Sequence, residues 1–390
     1  MTTQPDLQVH AFDSINEIDA QVWNQLNNTA YGAGSVLVSH AFLNAFEASA
    51  SVTSKTGWQP QHLLVSQADQ VIAAIPLYAK GHSYGEFVFD WAWADAYQRN
   101  GLEYYPKWLV GVPFTPVSGM RLLCAPEHKQ LAAQALIAWV KQSKLSSLHV
   151  LFTDENDQKV LEAAGCLTRQ HAQFHWFNHA WPDFDAYLAS LTQPKRKKVR
   201  AERRKVKNAQ VSTRVLTGAS ITPDDWQFFY RCYAHTYHVR GNPPYLTPDF
   251  FDLVGQTCPD NCVMVIGHHE PSHQDVASAL LWRDQTSDGK TRLYGRYWGA
   301  LEHIDCLHFE VAYYTPIQWA IEQGIDVIEG GAQGEHKLAR GFTPVVTQSA
   351  HWLAHPSFAD AIEQYLSRER EGINAYTERL KSPFREEVLD

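Results

Sequence analysis

The sequence predicts an α/β protein of two domains, each with a mixed, largely antiparallel sheet flanked by helices. Three observations lead there. A plan of hairpin, further strand, amphipathic helix and buried strand occurs in each half. The 390 residues exceed what a single core usually fills, which favours two or three domains. Around 181–210 a proline and a run of bases interrupt that plan. The reading is therefore an N-terminal domain at 1–180, a basic connecting helix at 181–210 and a C-terminal domain at 211–390.

In chain order, His62-Leu-Leu-Val65 and Val71-Ile-Ala-Ala-Ile-Pro-Leu-Tyr78 read as a hairpin turning through Gln67-Ala-Asp-Gln70. Glu86-Phe-Val-Phe-Asp90 follows as another strand after a Gly-rich turn. Leu131, Ala135, Ile137 and Val140 fall at helical spacing within 127–144. Residues 148–153 form a buried strand, 156–164 a short helix and 167–177 a strand. In the second half, Val263-Met-Val-Ile266 and 276–282 form a hairpin, and 292–298 a third strand. A helix covers 306–323 and stops at Gly324, a favourable C-terminal residue. Ile325-Asp-Val-Ile328 is the next buried strand. The halves also align loosely in residues, with Tyr84, Gly85 and Trp91 against Tyr294, Gly295 and Trp298, which suggests an internal duplication.

Composition narrows the class. Hydrophobic residues make up 45% and charged residues 19%, as in soluble globular proteins. No apolar run approaches the roughly 18 residues needed for a transmembrane helix. The start, Met1-Thr-Thr-Gln-Pro-Asp-Leu7, has neither a basic nor an apolar region of a secretory signal. The six cysteines are scattered without a zinc-ligand pattern, so reduced, buried thiols in a cytoplasmic protein are expected. His268 and His269 point to opposite faces of a strand, so no metal site is expected. The 13 Trp and 17 Tyr suit sugar, peptide or nucleotide contacts and large aromatic cores equally.

The net charge of −9 hides an asymmetry. Residues 195–207 hold nine bases and one acid, Glu202, which leaves 24 bases against 41 acids elsewhere. Arg196, Arg200, Arg203 and Lys207 share one helical face. That face suits the phosphates of tRNA or of a nucleotide-linked precursor, or it is a solvated connecting helix.

The chemistry concentrates between Tyr294 and Phe342. There Tyr294-Gly-Arg-Tyr-Trp-Gly299, Leu307-His-Phe-Glu310 and Glu329-Gly-Gly-Ala-Gln-Gly-Glu-His-Lys-Leu-Ala-Arg340 bring carboxylates, histidines, tyrosines and bases onto Gly-rich backbone. Apolar packing does not require that mixture, whereas a reaction or ligand site does.

With Ser39-His-Ala-Phe-Leu-Asn-Ala-Phe-Glu-Ala-Ser49, Thr56-Gly-Trp-Gln-Pro60, Asp90-Trp-Ala-Trp-Ala-Asp95, Tyr104-Tyr-Pro106, Val112-Pro-Phe-Thr-Pro116 and Gly241-Asn-Pro-Pro-Tyr245, these blocks resemble the FemAB-like family of N-acyltransferases, also called peptidoglycan biosynthesis or recognition proteins. The resemblance implies two tandem GNAT-like (acyl-CoA N-acyltransferase) domains. It also implies transfer of an acyl or aminoacyl group to a primary amine, on a small-molecule or peptide acceptor such as a peptidoglycan-type precursor. The donor is either an acyl-CoA or an aminoacyl-tRNA. GNAT enzymes that use acetyl-CoA carry a Gln/Arg-x-x-Gly-x-Gly/Ala loop where this chain has Trp298-Gly-Ala-Leu-Glu-His-Ile-Asp-Cys306. A catalytically silent GNAT-like binding module and an RNA-binding protein working through the basic helix are the rival readings.

Acyl transfer to an amine needs a base, oxyanion donors and optionally an acid. Glu329 ends a buried strand before two glycines, where a desolvated carboxylate has a raised pKa suited to a base; the alternative is a structural cap. Glu310 and His336 are the supporting catalytic candidates, or sit on polar faces. Gly330, Gly331 and Gly334 precede a helix start that suits an anion of the donor, or form a tight turn. Tyr294, Arg296 and Trp298 alternate on one strand face and, with Tyr313, Gln333, Lys337 and Arg340, are expected substrate contacts. In the first half, Asp90 and Tyr105 suit acceptor binding or buried structural hydrogen bonds. The expectation joining these is that Glu310 and Glu329 open onto one hollow.

Overall fold

The computed structural model describes residues 7–286, 288–331 and 334–385. Two compact units emerge: residues 1–172 with 346–377, and residues 173–345 with 378–390. The sequence reading ran 346–377 on with 211–345; the packing of that stretch groups it with the first unit. Among the described residues no helix is long and apolar enough to cross a membrane.

In the first unit Leu7–Phe12, His62–Gln67, Gln70–Ile75 and Leu123–Cys124 form an antiparallel sheet. Ala68 and Asp69 take positive φ at the hairpin tip, as two-residue hairpin turns require. The strand expected at 71–78 is two strands, because Pro76 lacks an N–H to continue the ladder. Gln70–Ile75 stays in this sheet, and Leu77–Lys80 pairs instead with Trp58–Pro60 and Lys107–Val110. Lys107–Val110 lies parallel to Ser147–Thr153, which pairs with residues 348–353. Helix Lys129–Gln142 buries Leu136 and Val140 against Leu63, Val65, Val110 and Val150. Residues 86–90, expected as a strand, join no ladder. Phe87 is left-handed there (φ 62°), which breaks the extended run although buried and exposed positions still alternate. The proposed repeat therefore does not extend to Tyr84, Gly85 and Trp91.

In the second unit the sheet order is Val211–Thr217, Cys262–His269, Gln274–Gln285, Thr291–Ala300, Val327–Glu329 and residues 173–177. Among the described residues of this unit, the pairing of Thr291–Ala300 with Val327–Glu329 is parallel and the other pairings in that order are antiparallel. Helices Pro223–His238 and Pro248–Thr257 cover one face with Phe229, Tyr233 and Phe251 against Tyr297. The helix backbone comes so close that a Cβ at Gly299 would lie 1.9 Å from the Cys232 carbonyl oxygen. Tyr297 meets these helices, whereas the next residue, Trp298, stacks on His308 at 4.4 Å. By strand alternation the helical run over 307–322 therefore covers the other face.

That run is α-helical at Leu307–Phe309 and Thr315–Glu322 but π-helical over Glu310–Tyr314. Pro316 explains the break locally, since it offers no N–H to the Ala312 carbonyl and its ring crowds that oxygen. The basic helix, Gln193–Asn208, buries Val199, Glu202 and Val206 and exposes most of its cations.

Candidate active site

The parallel pairing of Thr291–Ala300 with Val327–Glu329 spans only Arg292–Val327, Leu293–Ile328 and Tyr294–Glu329. Past that point a hollow of about 140 Å³ lies between the chains, lined by Gly295, Arg296, Tyr297, Trp298, Ile328 and Gly330 and closed by Ala279, Leu280, Leu281, His308, Ala312 and Tyr313. A one-residue slip in the antiparallel ladder, with Leu281 opposite Gly295 and Leu280 opposite Tyr297, places Arg296 in a β-bulge. This corrects the expected alternation. Arg296 and Trp298 line the hollow, whereas Tyr294 lies before the bulge, is buried, and does not.

Glu329 does end the buried strand, directly before Gly330 and Gly331. Ile328 and Gly330 line the hollow and Glu329 does not, as a two-residue strand period requires. Its carboxylate instead lies 3.6 Å from Arg292 Nη1 and 3.8 Å from His175 Nε2. Glu310 projects elsewhere. Arg203 holds it at 2.9 Å, and both border a second hollow of about 450 Å³ along the basic helix, with Arg200, Arg204, Lys207 and Thr213. The two acids do not open onto one hollow. The π-turn sends Glu310 toward the basic helix while His308, Ala312 and Tyr313 of the same helical run line the first hollow.

The loop after Glu329 also departs from expectation. Glu335–Arg340 is a six-residue 3₁₀ segment, too short and poorly aligned to offer an anion site at its start. The His336 ring lies over Gly334, where an added Cβ would come within 2.3 Å of it. Gln333 lies outside the described residues. Arg340 is not presented to a ligand: it is 1% exposed, pairs with Glu202 at 2.7 Å, donates to the His336 carbonyl oxygen at 2.5 Å and stacks 3.4 Å over Phe309.

Lys337 is not itself in the lining of the hollow but packs behind Gly330, which is. Its stem lies against Gly330, 3.0 Å from where a Cβ would sit, and Nζ donates to the Gly331 carbonyl oxygen at 2.9 Å. No carboxylate pairs with it among the described residues. Burial, and then the Arg296 charge, push its pKa down to about 7. Tyr313 and His336 share a 3.3 Å hydrogen bond. Burial first, then Arg340 and Lys337, lower the His336 pKa. His308, given no role by the sequence reading, sits at the centre of this group; burial brings its pKa down to about 4, so its imidazole is neutral at pH 7.

The first unit holds the remaining candidates. Asp90 is buried and pairs with Lys107, and Tyr104 donates to it at 2.6 Å. Tyr105 and Ser83 hydroxyls lie 2.8 Å apart, and Ser83 also accepts from Lys107 at 2.8 Å. Sequence reading missed Lys80, Glu86 and Lys107 here. The available signal was a lysine at the end of each of two otherwise apolar strands, Leu77–Lys80 and Lys107–Val110.

Buried neutral histidines have a consequence for stability. Burial holds His149 and His175 at about 3 and His171 and His308 at about 4. As pH falls below the unfolded value near 6.5, the unfolded chain takes up these protons first. Glu86, raised by burial to about 7, works in the opposite sense between pH 7 and 4.5. Urea unfolding should therefore lose stability between pH 6.5 and 4, at about 1.4 kcal/mol per pH unit for each imidazole not offset. A flat profile would show that these rings are already charged in the fold.

Comparison with solved structures finds chains of similar fold. FemX is 12% identical, with 91% of this chain matched to 100% of that one at a TM-score of 0.52. A conserved protein of unknown function from Bacteroides thetaiotaomicron is 12% identical, with 89% matched to 100% at 0.53. A tandem GNAT protein from the clavulanic acid biosynthesis pathway is 12% identical, with 90% matched to 99% at 0.48. At these identities the likeness concerns the fold. The chain itself belongs to the FemAB-like family of peptidoglycan biosynthesis and recognition proteins, whose model matches residues 14–386. No curated protein matches it.

Proposed function

We propose that the protein transfers an aminoacyl group from tRNA to a primary amine of a peptidoglycan-type precursor, and that the reacting atoms meet in the hollow between Gly295–Trp298 and Ile328–Gly330. The observation that carries this reading is the make-up of that hollow: an interrupted parallel ladder, Arg296 and a neutral imidazole at His308 in its lining, and a buried lysine, Lys337, packed behind its Gly330 wall. In the proposed step the amine attacks the aminoacyl ester carbonyl, forming the C–N bond. The tetrahedral intermediate then breaks the C–O bond to the tRNA ribose, which leaves as the hydroxyl. Lys337, neutral in about half the molecules near pH 7, accepts the proton lost by the attacking ammonium and, once charged, returns one to the leaving oxygen. Arg296 faces the oxyanion. His308 and Tyr313 orient the amine. Glu329 acts only through Arg292 and His175 below the strand end.

The basic helix supports tRNA as the donor over a coenzyme. Lys197, Lys198, Arg200, Arg204 and Lys207 are exposed, and like charges at that density repel unless an anion is near. Arg203 reaches Glu310 and Gln318 on the helical run whose other residues line the hollow. The candidate phosphate track and the helical run that lines the candidate reaction site are thus tied together through Arg203 and Glu310.

Incubating the protein with radiolabelled aminoacyl-tRNA, acetyl-CoA and a nucleotide-linked peptide precursor, in separate pairings, tests the reading. Label from the tRNA should appear in an amide of the precursor. Label from acetyl-CoA alone would overturn the donor, and binding without any transfer would favour the silent module. Replacing Arg200, Arg204 and Lys207 by Gln should weaken tRNA binding and flatten its dependence on salt, by roughly 0.7–0.9 in log–log slope for each phosphate no longer neutralised. An unchanged slope would remove this helix from the donor site.

A further inference from the structure

We propose that the buried corner of the first unit formed by Trp58, Tyr78, Lys80, Glu86, Asp90 and Lys107 is a binding site for a small zwitterionic amino acid, its ammonium toward Glu86 and Asp90 and its carboxylate toward Lys80 and Trp58. The inference is independent of the transferase reading.

The argument starts from polar atoms without partners. Lys107 Nζ donates to Glu86 Oε2 at 2.8 Å, to Ser83 Oγ at 2.8 Å, and to Asp90 Oδ2. Each carboxylate thus gives one oxygen to the same lysine. The others, Glu86 Oε1 and Asp90 Oδ1, are buried and accept no hydrogen bond, and Trp58 Nε1 and Tyr78 Oη are buried and equally unpartnered. Lys107 stands opposite Lys80 in the ladder, and Lys80 opposite Trp58, so these side chains share one face of the sheet. The Trp58 and Tyr78 rings are 5.5 Å apart, and Lys80 Nζ lies 3.7 Å over the Trp58 ring. Lys80, fully buried, has only the Tyr84 carbonyl oxygen at 3.3 Å and no carboxylate within ion-pair distance among the described residues. A buried polar atom left unmade costs about 1–3 kcal/mol, so such a concentration calls for a ligand.

The chemistry of the unpartnered atoms selects its class. Two carboxylate oxygens want donors, whereas an indole N–H and an ammonium want acceptors. An inorganic anion would satisfy Lys80 and Trp58 but oppose Glu86 and Asp90. A simple amine would do the reverse. A molecule carrying both charges a few bonds apart answers both. Burial brings Lys80 down to about 7 and Glu86 up to about 7, so near neutral pH the pair can be charged or neutral at little cost.

The segment 81–90 supplies Ser83, Glu86 and Asp90 to the corner. It forms no helix or strand, and it turns Ser83, Glu86, Val88 and Asp90 inward while Tyr84 is 56% and Phe89 52% exposed. Burying an aromatic ring is worth about 1.5–3 kcal/mol, and this segment leaves two rings outside. Phe87 holds a left-handed backbone (φ 62°), a conformation of the kind that gathers at ligand clamps.

Equilibrium dialysis of the full-length protein with radiolabelled glycine and L-alanine, paired with thermal unfolding, tests the site. Saturable binding and a raised midpoint are expected with either amino acid, and neither effect with ethylamine or propionate at equal concentration. Glu86→Gln should weaken binding at least tenfold. Should that variant fail to fold, Trp58→Phe, which keeps the ring and removes the N–H, should weaken it severalfold. Absence of saturable binding at millimolar concentration, equal effects from the single-charge analogues, or unchanged affinity in the folded variants would each overturn the proposal in favour of a corner filled by water alone.

Discussion

Arg340→Met is expected to lower the unfolding free energy by about 3–5 kcal/mol, the usual cost of leaving one partner of a buried ion pair alone. Arg340 Nη2 pairs with Glu202 at 2.7 Å, and the Tyr314 hydroxyl donates to the same oxygen. The guanidinium also stacks over Phe309 and holds the His336 carbonyl oxygen. Methionine keeps some of the apolar packing and none of the charge, so Glu202 must either remain unpaired or take up a proton. Urea denaturation monitored by tryptophan fluorescence measures the loss. Pairing the change with Glu202→Leu should recover most of it, because removing both charges leaves a packable apolar site. A single variant within about 1 kcal/mol of the parent would show that Arg340 is not holding the 3₁₀ segment to the basic helix.

Lys337→Met is expected to reduce transfer by about 10²–10⁴-fold, the range for loss of a positioned acid–base group, or about 3–5 kcal/mol in activation free energy. Stability should fall little or rise, because methionine relieves the burial of an ammonium that lacks a carboxylate partner. Lys337→Arg separates the roles. Arginine stays charged at all working pH, so it should retain acceptor binding but not turnover if the lysine acts as a base. The parent rate should rise with pH through about 7, since only the neutral amine accepts a proton. Equal activity of the arginine variant would assign Lys337 a purely electrostatic part.

Much of the fold was legible because its signals are local. Helical spacing marked 127–144, turn residues marked the hairpins, and Gly324 marked a helix end. The resemblance of the blocks from Ser39 to Phe342 carried the tandem architecture further than periodicity alone does. What escaped was geometry set by single backbone events. The bulge at Arg296 and the π-turn at Glu310–Tyr314 each rotate side chains that strict 2.0 or 3.6 periods would place otherwise. The sequence located Glu329 at its strand end but not its face, and that face turns it toward Arg292. Arg340 and Lys337, three residues apart, looked alike as cations. Only tertiary packing distinguishes the one held by Glu202 from the one packed behind Gly330. Lys80, Glu86 and Lys107 escaped because nothing in a linear pattern reports which buried charges will share a partner.

Filling the hollow tests the central claim most directly. Ala312 lines it without carrying charge or hydrogen bonds from its side chain, so Ala312→Phe should occupy the space and leave the surrounding ion pairs in place. Labelled aminoacyl-tRNA is presented to both proteins with an amine-bearing precursor, and the new amide is counted by mass spectrometry. The account predicts product with the parent and almost none with the folded variant. Equal product from both would contradict it.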